Sequence, residues 1–166
     1  MKTVTRSNIC VPIAAMILAA LAVAAAAQKQ VPLKGSLQGH EIDTPQGGPP
    51  PTTLSVDGST TGIATLVGQF SFSYQLTVNL GTGTATGSAQ LVAANGDSIF
   101  TTVAGSSEPT ATPGVFSITE TNTITGGTGR FSAAQGTFIV DRLINQATGF
   151  TSGSLHGAIT SPGAAH

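Results

Sequence analysis

The chain has few of the residues that usually carry chemistry. Charged residues make up 8% of its 166 residues, aromatic residues make up 5%, and Trp is absent. An ordinary domain carries roughly 25% charged residues, so this surface is unusually uncharged. Six Lys and Arg residues and a formal net charge of −1 exclude the basic surface of a nucleic-acid-binding protein. The length predicts a single domain.

Cysteine is nearly absent as well. A single cysteine, Cys10, excludes an internal disulfide framework and a cysteine-rich zinc site. His40, Glu41 and Asp43 are close in sequence, but they adjoin a proline-rich stretch and do not reproduce a zinc motif. We therefore predict no metal and no cofactor.

Residues 1–27 are typical of a secretory signal peptide. Lys2 and Arg6 precede an alanine-rich apolar run, and three alanines at positions 25–27 match the small side chains that signal peptidase accepts. The apolar core is short against the ~20 residues that span a bilayer, which disfavours a retained anchor. We expect cleavage before Gln28, no membrane span afterwards, and a secreted or periplasmic protein.

The remainder is predicted to form β-strands. No window after Gln28 has the 3.6-residue period of an amphipathic helix, whereas alternation with period two is frequent. From Phe70 to Leu80, apolar side chains alternate with Ser, Gln, Thr and Asn, so one face of this strand would be buried. The predicted strands are 33–42, 60–67, 70–80, 84–94, 98–104, 115–124, 131–143 and 150–160.

Eight strands at regular spacing predict an all-β domain over residues 28–160, a single eight-stranded antiparallel barrel of the calycin-like kind. An open β-sandwich is the alternative. The shared Gly-Ser-Leu-x-Gly pattern at residues 35–39 and 153–157 is consistent with pairing between the first and last strands.

Turn residues set the expected boundaries. Asn95-Gly96 and Asp57-Gly58 are typical of type I′ hairpin turns. Four prolines exclude residues 44–51 from a strand ladder, so this Pro- and Gly-rich segment is predicted to be an exposed loop. Residues 108–114 form a second predicted loop, and residues 161–166 a flexible tail.

Three segments resemble the dirigent and allene oxide cyclase superfamily of β-barrels. Residues 124–131, Ile-Thr-Gly-Gly-Thr-Gly-Arg-Phe, with Ala134 and Gly136 after them, are similar to its turn-and-strand signature. Residues 61–70 are similar to the Gly-x-Ala-Thr-x-Leu-Gly-x-Phe run of its small, exported bacterial members of unknown function, and residues 93–97 also fit that group. The resemblance covers residues 58–160.

The resemblance implies a calycin-like barrel and leaves the ligand open. Plant dirigent proteins orient phenoxy radicals with acidic pocket residues, and plant allene oxide cyclases hold a fatty-acid epoxide in an apolar barrel. Plant dirigent proteins also commonly have a disulfide. The single cysteine of this chain, Cys10, lies in the predicted signal peptide, so the predicted mature chain has no cysteine to form one. No functional residue of either family is matched to a position in this sequence.

Alternation places one carboxylate among apolar side chains. Phe116, Ile118, Glu120, Asn122 and Ile124 would share one strand face. If that face points inward, burial disfavours the charged form of the carboxylate, so Glu120 is the candidate acid or base, with Asn122 as its polar neighbour. The alternative is a structural position at a wet barrel mouth or a bulge.

The other charged side chains are predicted to lie on the surface. Asp141 and Arg142 are adjacent, so they point to opposite faces of a strand, and both are interpreted as surface charges. Arg130 is expected to cap its turn or to pair with a neighbouring carboxylate.

These observations favour a non-catalytic role. We predict an exported barrel that binds a small apolar ligand or has a structural role, since an eight-stranded barrel is either packed solid or encloses one small ligand. The alternative is a dirigent-like or cyclase-like enzyme that confines a reactive apolar intermediate. The predicted barrel lining is Phe70, Phe72, Tyr74, Leu76, Phe116 and Ile118.

Overall fold

The computed structural model describes residues 29–160, which form a closed barrel of eight antiparallel strands. Each strand pairs with its neighbours in sequence, and the last strand pairs with the first. This confirms the predicted all-β, eight-stranded barrel. The strands are β1 Gln30–Gln46, β2 Thr53–Ala64, β3 Gly68–Asn79, β4 Thr84–Ala93, β5 Ser98–Pro109, β6 Val115–Gly127, β7 Gln135–Asn145 and β8 Phe150–Thr160.

The predicted signal peptide and the predicted tail both lie outside the described residues. Within residues 29–160, no helix has the length and hydropathy needed to cross a membrane. The one helical element there is a single 3-10 turn, Gly129–Phe131, between β6 and β7.

The two similar pentapeptides pair at the point where the barrel closes. In the β1–β8 register, Gly35 lies opposite Leu155 and Leu37 lies opposite Gly153. Both leucines are buried, so each fills the interior beside a residue with no side chain. The predicted pairing of the first and last strands is therefore confirmed.

Asp57-Gly58 does not form a turn, which corrects that prediction. Gly58 lies in the middle of β2, opposite Glu41 on β1 and Tyr74 on β3. A Cβ atom at this position would overlap the Tyr74 ring, so the glycine is required by close packing rather than by a turn. Strand β2 accordingly begins at Thr53 and not at residue 60.

Other boundaries shift for local reasons. Residues 44–46 extend β1, and Pro45 sits in the ladder opposite Leu54, which leaves 47–52 as the loop. Strand β5 likewise runs to Pro109. Asn95-Gly96 does connect β4 to β5, but only Gly96 has a positive φ, at 87°, so the type I′ assignment is wrong. The 3-10 turn delays the start of β7 to Gln135.

One half of the barrel is packed solid. This filled end, where the β2–β3, β4–β5 and β6–β7 connections lie, encloses large side chains that solvent does not reach. Phe72 and Phe138 meet there edge to face, with ring centroids 6.3 Å apart. The side chains that fill this end include Leu33, Phe72, Leu91, Ile99, Phe131, Phe138, Leu155 and Ile159.

Candidate functional site

A layer of polar side chains crosses the middle of the barrel, above the filled end. We call this layer the polar belt; it consists of Glu41 on β1, Tyr74 on β3, Glu120 on β6, Arg142 on β7 and Thr151 on β8. All five side chains are buried. They alternate along their strands with exposed or partly exposed residues, so their inward direction follows from strand geometry.

Arg142 holds the belt together. Its Nη2 donates to Glu120 Oε1 at 2.7 Å and its Nε donates to Glu120 Oε2 at 3.2 Å, which is a bidentate pair. Its Nη1 donates to Glu41 Oε2 at 2.6 Å and to Thr151 Oγ1 at 3.1 Å. Burial opposes the charged form, but the hydrogen bond and charge of Glu120 outweigh it and raise the pKa of Arg142. The guanidinium is therefore firmly positive.

Tyr74 completes the belt from the opposite side. Its hydroxyl donates to Glu41 Oε2 at 2.7 Å, and its ring covers the Arg142 guanidinium, with Cζ 4.8 Å from the ring centroid. Burial is the main reason that the pKa of the Tyr74 hydroxyl lies above its ordinary value, and the positive charge of Arg142 opposes the shift. The phenol is accordingly a fixed donor to Glu41.

A cavity of about 320 Å³ opens above the belt, at the end of the barrel opposite the filled end. We call this the open end; the β1–β2, β3–β4, β5–β6 and β7–β8 connections surround it. Glu41, Glu120 and Arg142 reach its floor. Its walls are mainly apolar and include Leu54, Val56, Leu76, Val78, Ala85, Phe116, Ile118 and Ile144.

Asp43 extends the acidic floor toward the mouth of the cavity. It lies two residues beyond Glu41 on the inward face of β1. Among buried side-chain nitrogen and oxygen atoms of residues 29–160, only Asp43 Oδ1 lacks a hydrogen-bond partner. Burial raises the pKa of the Asp43 carboxyl, Glu41 adds to the shift, and Arg142 opposes it. The cavity is therefore lined by a carboxyl of which the protein leaves one oxygen without a hydrogen bond.

The two predicted polar site residues have different surroundings. Glu120 points inward, is 1% exposed and lines the cavity floor. Asn122 also points inward, but it lies on the filled side of the belt, where it accepts a hydrogen bond of 3.0 Å from Thr101. The cavity floor thus includes Glu120 and not Asn122.

The six predicted lining residues all lie on inward faces but at different depths. Leu76, Phe116 and Ile118 line the cavity. Phe70 and Phe72 pack into the core of the filled half, and Tyr74 belongs to the belt. Their role in ligand binding remains a prediction.

Arg142 is not a surface charge, which corrects the prediction from its position beside Asp141. Asp141 is exposed and bonds Thr119 on the outer face, whereas the Arg142 side chain is only 3% exposed. The adjacent pair does split between faces as predicted, but Arg142 faces inward. By contrast, Arg130 pairs with Asp97, Nε to Oδ2, at 3.7 Å, in agreement with the sequence interpretation.

Glu41 was missed as a site residue because it adjoins the proline-rich segment. A usable signal was present, since the alternation that buries Leu33 and Leu37 continues to residue 41. His40 points outward and contacts Phe150, so the strand separates His40 from Glu41 and Asp43, which both face inward. In the described part of the chain, no group of three or more His, Cys, Asp or Glu side chains is arranged to hold a metal ion.

Two larger depressions lie on the outer surface of the barrel. Their volumes are about 780 and 690 Å³, and outward side chains such as Gln38, Thr61 and Ser73 line them. Neither combines apolar walls with buried charge, so the interior cavity is the better candidate for a site.

Comparison with known proteins supports the fold. No protein-family model and no curated protein matches the sequence. Among solved structures, the barrel is similar to the pterocarpan synthase dirigent protein GePTS1, with a TM-score of 0.55 and 14% sequence identity. The match covers 81% of this chain and 89% of that protein. At this identity the likeness shows a dirigent-like fold and nothing about activity.

Proposed function

We propose that this protein binds a small molecule, with an apolar body and one polar end, in the cavity at the open end of the barrel. The observation that carries the proposal is a half-filled interior in which apolar walls lead to a buried, charged floor. Ligand sites combine these two features, because apolar contact supplies affinity and a few fixed polar groups supply orientation.

The volume supports a ligand of modest size. The cavity of about 320 Å³ is roughly twice the 150 Å³ that encloses one benzene molecule, so it fits about two fused rings. The filled end is occupied by large buried side chains such as Phe131 and Phe138.

Filling the cavity tests the proposal. Naphthylmethanol, naphthylmethylamine and naphthoate share a two-ring body and differ in their polar end. We expect at least one of them to bind and to shift NMR resonances of the cavity walls. Ala85→Phe should abolish this binding because Ala85 lines the cavity, whereas Thr86→Phe, one residue away on the outer face, should not. Absence of binding by all three probes at millimolar concentration would contradict the proposal.

A second candidate is an enzyme that confines a reactive apolar intermediate. The fold similarity to a pterocarpan synthase dirigent protein and the raised pKa of Asp43 favour it, since a raised pKa makes a carboxyl better suited to act as a general acid near neutral pH. Glu120 is less suited to proton transfer because both of its oxygens are bound by Arg142. A substrate screen with phenols and fatty-acid epoxides tests this candidate. Turnover should be lost in Asp43→Asn and retained in Asp57→Asn, which removes an outer-face carboxylate.

We also propose that the protein is exported after cleavage of residues 1–27. The basic start, the apolar run and the three alanines at 25–27 support this location. N-terminal sequencing of secreted or periplasmic material should begin at Gln28. Recovery of the uncleaved chain from the membrane fraction would contradict export as a free domain.

A further inference from the structure

We propose that the ligand is a lipophilic amine whose ammonium group binds Asp43, an inference that rests on the cavity being a binding site. The first argument is charge. Four carboxylates line the cavity, those of Glu41, Asp43, Glu108 and Glu120, and within the described residues Arg142 is the one cation that lines it. Three negative charges are left uncompensated when all four carboxylates are ionised, so an anionic ligand is repelled and a cation is attracted.

The second argument is that Arg142 has little capacity left for an acidic ligand. Its Nε, Nη1 and Nη2 already donate to Glu41, Glu120 and Thr151, and Tyr74 covers one face of the guanidinium. These bonds use four of the five guanidinium N–H groups, so a ligand carboxylate could form a bidentate pair only by displacing one of them inside a buried cluster. Removing one partner from such a cluster is costly, so the floor does not suit an acid.

The third argument is the unsatisfied acceptor. Asp43 Oδ1 is buried and has no hydrogen-bond partner, and the pKa of its carboxyl is raised mainly by burial. An ammonium group that binds this carboxyl donates a hydrogen bond to it and supplies a positive charge that compensates the partly buried negative one. A neutral hydroxyl supplies only the hydrogen bond. The geometry therefore favours an amine over an alcohol with the same apolar body.

The distribution of charged side chains between the two ends of the barrel also favours a cationic ligand. Lys34 and Arg130 lie at the filled end, where their neighbours are the β2–β3 and β4–β5 connections. Asp43 and Glu108 lie at the open end, and Glu108 is exposed at the rim. A cation approaching the mouth thus meets negative charge first.

The experiment compares naphthylmethylamine, naphthylmethanol and naphthoate by isothermal titration calorimetry on the purified protein. We expect the amine to bind at least about tenfold more tightly than the alcohol, because charge-assisted hydrogen bonds are the stronger ones, and naphthoate to bind most weakly. In Asp43→Asn the amine should fall to the affinity of the alcohol. Asp57→Asn is the matched control, because Asp57 is also a strand aspartate but projects, with its ladder partner Ile42, from the outer face.

Proton linkage provides a second readout. Glu41 on β1 and Arg142 on β7 act electrostatically on Asp43, and Tyr74 on β3, Glu108 on β5 and Glu120 on β6 are the other titratable groups of the belt and cavity. Amine affinity should fall as pH is lowered through the raised pKa of Asp43, and binding in that range should release protons to the buffer. Alcohol binding should show neither effect, and Asp43→Asn should remove both from the amine.

Each outcome separates this inference from the proposed function. If the alcohol or naphthoate binds as tightly as the amine, the cavity is a binding site but the amine assignment is wrong. If Asp43→Asn leaves amine affinity unchanged, the assignment to Asp43 is wrong. If none of the three probes binds, both the proposed function and the amine inference fail.

Discussion

Arg142 and Glu120 form a bidentate ion pair inside the barrel, with Nη2–Oε1 at 2.7 Å and Nε–Oε2 at 3.2 Å. Both side chains are almost completely buried, at 3% and 2% exposure. The same guanidinium also binds Glu41, so one positive charge serves two carboxylates. This arrangement makes the polar belt sensitive to the loss of its cation.

Arg142→Met should therefore destabilise the barrel strongly. Breaking a buried pair leaves uncompensated charge and costs about 3–5 kcal/mol, and here two carboxylates lose their partner. Urea unfolding at pH 7 measures the loss. Lys34→Met, an exposed cation, should change stability by no more than about 0.5 kcal/mol; an equal effect of the two substitutions would contradict this account.

Gly58→Ala should disturb the belt through Tyr74. The added Cβ would overlap the Tyr74 ring, and forced overpacking costs about 1–3 kcal/mol. Gly126→Ala is the matched control, because an added Cβ at Gly126 has no neighbour within 4 Å. Denaturant unfolding and near-ultraviolet circular dichroism of the tyrosine should change in the first variant only. Equal stability of the two variants would show that β2 does not pack tightly against this ring.

The Tyr74 hydroxyl should not ionise while the barrel is folded at pH 11. Its pKa lies above the ordinary value of about 10, chiefly because it is buried. The neutral form is favoured in the folded state, so stability should decrease as pH rises above about 10. Tyr74 is the only tyrosine, so tyrosinate absorbance reports on it alone. Absorbance that rises near pH 10 without loss of the folded circular dichroism signal would contradict the prediction.

Asp43→Asn should stabilise the protein in the absence of ligand. The folded pKa of Asp43 is raised above 3.8, so the native state binds more protons than the unfolded state in that range. The stability of the natural chain therefore falls as the pH rises above 3.8. The variant has no titrating carboxyl at this position, so its stability does not fall for this reason. The difference in Tm between variant and natural chain should grow from pH 3 to pH 7. Asp57→Asn should show no such growth.

Much of the architecture could be predicted from the sequence because strand geometry has a fixed period. Alternation from Phe70 onward identified β3, and the paired glycine patterns identified the closure between β1 and β8. The same alternation placed Glu120 correctly on the inward face of β6. The predicted start of β2 was wrong because Gly58 has a packing role, whereas glycine is also typical of turns.

The ion cluster could not be predicted in the same way. Arg142 shares a strand face with Val140 and Ile144, so periodicity alone places it inward. A buried arginine, however, is stable only when it has partners. Its partner Glu41 lies 101 residues away, and no local pattern relates the two. Whether a barrel is filled also depends on how side chains from all eight strands share one volume, which periodicity does not describe.

The closure between β1 and β8 has a consequence for the folding reaction. Seven of the eight strand pairs join neighbours in sequence, whereas this last pair joins the two ends of the domain. Its formation has the largest entropic cost of loop closure, so the contacts between β1 and β8 form slowly. Before β1 meets β8, the sheet has two unpaired edges open to other chains, and Glu41 has not met Arg142. Barrel closure and removal of water from the central charges are thus the same event, and a chain that fails at this step is liable to aggregate through its edges.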